Sequence, residues 1–238
     1  MDRPTSAVPA IVLPSALEAD RAHYVGYLRE AIALIERFAQ RHGWYAVVAA
    51  ALPRSLVVEL DQAALWRRLR SAFALPDGAP LPTPSLAGAV VGDVLMVLTP
   101  QAYAEVAPEY AAAPGAYVRL IAHEFAHRLH VAILGGDDDA MGPRWFYEGF
   151  AVLASDDLHP RASHGPEVRA ATGRHEPDAI SADNLWAQLA DDSPGAYARY
   201  GAALRWLEQR VPLPELVAAA GRADFEVWLR GRLQARLE

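Results

Sequence analysis

Apolar residues at Tyr24, Tyr27, Leu28, Ile32, Leu34, Ile35 and Phe38 recur at steps of three and four, the period of one helix face, until His42-Gly43 ends the run. Ser15 is the expected N-cap of this helix. From Trp44 to Leu60 the chain is β-branched and apolar around a Pro53-Arg54-Ser55 turn, which predicts two strands. Asp61 is placed to cap a short helix reaching Ala72, and the prolines of LPDGAPLPTPS make residues 75–85 a loop. GAVVGDVLMVLTP, with Gly92-Asp93 between apolar β-formers, predicts a hairpin. A sheet of about three to five strands is therefore expected in the N-terminal half. Beyond Pro114 the punctuation is helical. Helices are expected over Tyr117 to Leu134, stopped by Gly135-Gly136, over Arg144 to Ser155, over Tyr197 to Arg210 and over Asp224 to Leu237.

The expected fold class is α+β, in a single domain of residues 15–238, with a sheet-containing part at 15–110 and a helical part at 111–238. Residues 1–14 carry three prolines and little charge and read as a flexible arm that dangles or lies along the body. No internal repeat and no coiled-coil heptad interrupts this organisation.

Composition narrows the chemistry. A hydrophobic content of 53% in 238 residues can fill a sizeable core, and a net charge of -7 argues against a nucleic-acid partner. There is no cysteine, so disulfides, thiol catalysis and cysteine-type metal sites are excluded. Any metal must be held by His, Asp or Glu. The first residues lack a basic start, a long apolar run and a small-residue cleavage site, and no stretch reaches the roughly 18 to 20 apolar residues of a membrane span. The expectation is a cytoplasmic protein with no membrane partner.

Against that background HEFAH, residues 123–127, is the chief chemical signal in a chain with eight histidines. Residues four apart on a helix are rotated by about 40° and separated by about 6 Å along the axis, so His123 and His127 can converge on one ion. Glu124 points about 100° around from His123, beside the ion, where it can hold a water without filling a ligand position. Zinc chemistry needs a third protein ligand and an open position. The metzincin pattern would require Gly at 130 and His at 133, but the chain has His130 and Ile133. WFYEGFA, residues 145–151, offers Glu148 on a second helix.

HEFAH followed by WFYEGFA resembles the glutamate zincins (gluzincins) of the peptidase-MA superfamily, in particular the aminopeptidase-N-like catalytic domain, whose second helix carries a similar W-x-x-E-G-F/Y-A stretch. The resemblance implies Zn2+ held by His123, His127 and Glu148, with Glu124 as general base, in a thermolysin-like fold with a small sheet over the zinc helix. It implies hydrolysis of peptide or protein substrates by zinc-activated water. The family also places a tyrosine on a later helix, in a Tyr-x-x-Gly pattern with a Leu ten after the Tyr. AYARYGAALRWLEQ is similar, with Tyr197 and Leu207 at that interval, but Tyr200 stands where the glycine would be and Gly201 is one place late. The oxyanion donor is thus Tyr197 or Tyr200, with Tyr197 preferred.

The remaining residues have plainer readings. His130 lies on the His123 face but about 10 Å along the axis, which suits a structural or ligand-supporting role. His159, His164 and His175 fall in a polar stretch and are expected to be solvated, Asp137-Asp138-Asp139 to be an exposed loop, and Trp145 and Phe146 to be core anchors. An edge strand at Gly88 to Val91 or Val94 to Leu98 is expected to pair with extended substrate. Aminopeptidases of the resembled type bind the free amine with an acidic stretch, and here only Asp93 is near, so endopeptidase action is favoured. The alternatives are a catalytically retired zinc-binding scaffold and a helical protein in which the three residues meet by accident.

Overall fold

The computed structural model describes residues 9–76, 86–155, 180–181, 184–190 and 195–235. It is α+β, with a four-stranded mixed sheet and a larger helical body. The sheet contains β1 (Ala10–Val12), β2 (Ser55–Glu59), β3 (Gly88–Val91) and β4 (Val94–Leu98) in the order β1-β2-β4-β3. β1 and β4 run parallel to β2, whereas β3 returns antiparallel to β4 across the predicted hairpin, with Val91 opposite Val94. Gly92 turns that hairpin at φ 56°, a conformation that favours glycine. The arm reading of residues 1–14 is revised over Ala10–Val12, which form an edge strand bonded to β2.

A 3-10 turn over Ser15–Asp20 precedes α1 (Arg21–Arg41), so Ser15 does not cap the helix as expected. The predicted stop holds, with Gly43 at φ 80° just past the helix end. The strand expected from Trp44 is instead a 3-10 turn, Tyr45–Val47, running into α2 (Val48–Ala51). Alanines at 46, 49, 50 and 51 favour helix, and a one-turn helix buries Val48 and Ala51 on one face, which a strand of alternating faces would not. Only the second of the two expected strands forms, as the fully buried β2. α3 (Gln62–Ala72) is capped as predicted, Asp61 accepting from the Ala64 N–H at 2.7 Å.

α4 (Pro100–Val106) and α5 (Pro108–Ala111), which the hydrophobic pattern did not reveal, carry the chain from β4 to α6 (Ala116–Ile133). α7 (Arg144–Ser155) follows as expected, then α8 (Leu185–Ala190), which was not expected, α9 (Ala196–Glu208) as expected, α10 (Leu213–Ala220), also not expected, and α11 (Phe225–Gln234) as expected. α6 is the central element. Its buried Ile121, Phe125 and Leu129 belong to the same core as Leu28, Ile35 and Phe38 of α1 and Phe146 and Phe150 of α7. The Tyr117 hydroxyl donates to the Leu98 carbonyl at 2.8 Å, tying the start of α6 to the end of β4. Among the described residues, no helix is long and apolar enough to cross a membrane.

Candidate metal centre

α6 begins at Gly115, φ 71°, and is stopped by Gly135 and Gly136, φ 71° and 96°. Its most apolar face is spent on the core, which leaves His123 and His127 half-buried on the flank towards α7. α7 starts after Gly142-Pro143 and crosses α6 so that Glu148, 9% exposed, faces both histidines.

Nε2 of His123 lies 3.1 Å from Oε2 of Glu148, and Nε2 of His127 lies 3.6 Å from the same oxygen. The second distance is too long for a hydrogen bond. It fits a shared ion: ligand bonds of roughly 2.1 Å meeting at tetrahedral angles place donor atoms about 3.4 Å apart. All three donor atoms lie within 4.8 Å of one another, and the two rings stand edge to face at 86°. The group can hold a metal ion.

Electrostatics separates the two glutamates. Burial alone pushes the Glu148 carboxyl up, but the adjacent His123 and His127 imidazoles outweigh burial and hold it well below the ordinary carboxylate range. Glu124, 7% exposed, moves the other way: burial raises it, and His123 and His127 only partly offset that. The two carboxyls are thus shifted in opposite directions, Glu148 towards the ionised form and Glu124 towards holding a proton.

Of the two candidate tyrosines, only Tyr197 lines the site. Its hydroxyl donates to Oε1 of Glu148 at 3.3 Å and its ring stacks on His123. Burial foremost, then the Glu148 charge, raises its pKa and keeps the phenol protonated. Tyr200 is 2% exposed and belongs to the core. The displaced glycine has a local cause: α7 and α9 cross so closely that a Cβ on Gly201 would fall 2.3 Å from Val152, and one on Gly149 would fall 2.8 Å from the Tyr200 carbonyl oxygen.

A cleft of about 1390 Å³ opens over the cluster, lined by Gly88, Ala89 and Val90 of β3 on one side and by Tyr147 and Tyr197 on the other. Of the two strands expected to meet substrate, β3 is the sheet edge. β4 is internal and its hydrogen bonds are taken by β2 and β3. Three residues here carried no sequence signal. Gly88 abuts Glu124; Arg144, at the start of α7, lies beside Tyr197; and Arg128 hydrogen-bonds the Ala51, Leu52 and Gly92 carbonyls, joining α2 and the hairpin to α6. All three sit in expected elements, but of these only the Gly88 strand is expected to meet substrate.

Of the other candidates, Asp138 lines the cleft. Asp93 pairs with Arg54 at 3.3 Å and does not line the cleft. Asp137, Asp138 and Asp139 are exposed, as expected of a loop, and Asp137 caps the turn at Asp139–Met141. Trp145 and Phe146 are core residues as read, packed against Phe225. His130 is fully buried against Phe150, with neither ring nitrogen bonded among the described residues. His159, His164 and His175 fall outside the described residues. No family model matches the chain, and no curated protein or solved structure is significantly similar to it.

Proposed function

We propose that the chain is a zinc-dependent metallopeptidase with a gluzincin-type site and a thermolysin-like arrangement of sheet and helices, acting on peptides or proteins. The observation that carries this reading is the convergence of His123, His127 and Glu148 on one point, with Glu124 buried beside it and uninvolved in the cluster. Two imidazoles and one carboxylate with room for a further ligand suit zinc. Zinc held there would supply Lewis acidity, polarising a carbonyl and making water acidic enough to ionise near neutral pH.

The protein's own residues account for the rest. Glu124 takes the proton of the attacking water and hands it to the leaving amine, a task that suits a carboxylate whose proton affinity burial has raised. Tyr197, protonated and at the cleft wall, donates to the carbonyl oxygen as it gains charge. The β3 edge, which lies at the end of the described sheet, holds extended substrate backbone. With Asp93 tied to Arg54 away from the cleft, endopeptidase action is favoured over aminopeptidase action. The test is elemental analysis of purified protein followed by digestion of a peptide library. About one zinc per chain with internal cleavage is expected. Zinc without any cleavage would make the chain a metal-binding scaffold, and no zinc with no cleavage would end the proposal.

A further inference from the structure

Tyr197 touches two of the three ligands in different ways. Its ring lies 5.7 Å from the His123 ring at an interplanar angle of 21°, and its hydroxyl reaches Oε1 of Glu148, the oxygen turned away from the histidines. Arg144 stands behind it. The guanidinium carbon is 6.0 Å from the Tyr197 ring centroid, which sets a fixed positive charge beside the phenol. The Tyr197 O–H donates to Glu148 Oε1, and the Arg144 cation stands next to the ring that carries it.

A carboxylate with two free oxygens can bind an ion through one or both, and it can rotate between the two modes. A donor held on Oε1 removes that freedom and leaves Oε2 to the ion. Groups that orient metal ligands from behind typically change metal affinity by about 10- to 100-fold when removed. We propose that Arg144 and Tyr197 are positioning residues for the metal ligands, Arg144 fixing the Tyr197 hydroxyl and Tyr197 fixing Glu148 and His123. This rests on the reading that the cluster binds zinc and adds to Tyr197 a role that precedes substrate. The hydroxyl serves Glu148 in the resting site, and only the arrival of a carbonyl offers it a second acceptor.

The test is zinc affinity, measured by competition with a chelator on the full chain, together with the visible spectrum of the Co2+-substituted protein. Tyr197→Phe keeps the ring and is expected to weaken zinc about 10- to 100-fold and to shift the Co2+ bands. Arg144→Leu should weaken zinc by a smaller factor, Arg144→Lys should restore part of it, and Arg144→Leu combined with Tyr197→Phe should be no weaker than Tyr197→Phe alone, since Arg144 acts through the hydroxyl. Metal-free variants should melt with metal-free wild type. Wild-type zinc affinity in Tyr197→Phe would overturn the proposal, as would multiplying losses in the double variant or an equal loss in Tyr200→Phe. If the wild-type chain binds no zinc, the metal-centre reading itself fails and the proposal falls with it.

Discussion

Gly88 lies so close against Glu124 that a Cβ on it would fall 2.6 Å from the glutamate Oε1 and 2.9 Å from Cδ and Cγ. The first residue of the edge strand therefore sets where the proposed base can sit. Gly88→Ala must push the Glu124 carboxylate aside while leaving the three ligands untouched. A misplacement of about 1 Å can cost about a hundredfold in rate. Turnover should fall by that order with zinc content unchanged, as steady-state kinetics and elemental analysis on one preparation would reveal; full activity in Gly88→Ala would mean that Gly88 does not set the Glu124 position.

The two glutamates should separate cleanly. Glu148→Ala removes the oxygen that both histidines face and should abolish zinc retention through gel filtration. Glu124→Gln keeps size and burial and should retain zinc but lose turnover. Zinc loss in the Gln variant would make Glu124 a ligand.

The tyrosines differ by burial. At saturating zinc, Tyr197→Phe should lower kcat by about a hundredfold or more, the typical cost of losing an oxyanion donor, with a smaller change in KM. Tyr200, in the core, should affect stability and not chemistry. Equal small losses of kcat in the two would leave the oxyanion without a tyrosine donor.

His130 should make the fold acid-sensitive. Burial first, and His127 second, push its pKa from the ordinary 6.5 down to about 3, so the folded protein keeps the ring neutral. The unfolded chain takes up a proton below about pH 6.5, and stability therefore falls as pH drops from there towards about 3, by up to about 1.4 kcal/mol per pH unit for one proton. His130→Leu removes that proton and two buried nitrogens that have no partner among the described residues. Urea denaturation of chelator-treated proteins at pH 7.5 and 5 should show a smaller loss in the variant. Equal losses would count against this account.

Much of the helical half was legible because helix boundaries are local. The glycines at 135 and 136 and the span Arg144–Ser155 fall where turn chemistry and period place them. His123, Glu124 and His127 share one stretch of helix, so their mutual geometry follows from 3.6 residues per turn. The Trp44 region failed for the complementary reason. Valines and alanines there are compatible with strand or helix, and the choice went to the conformation whose C-terminal carbonyls, at Ala51 and Leu52, a side chain 76 or more residues away could bond. No local window contains Arg128.

The convergence of Glu148 on the histidines, the placing of Tyr197 and not Tyr200 at the cleft, the imidazole contacts that divide Glu148 from Glu124, and the approach of Gly88 and Arg144 are tertiary facts. Each depends on how separate apolar faces pack, and close approach at Gly149 and Gly201 sets the α7–α9 crossing. Spacing within one helix is intrinsic to its backbone, and the sequence alone could specify it. Distances between helices are set by the side chains wedged between them, and only the folded core decides those.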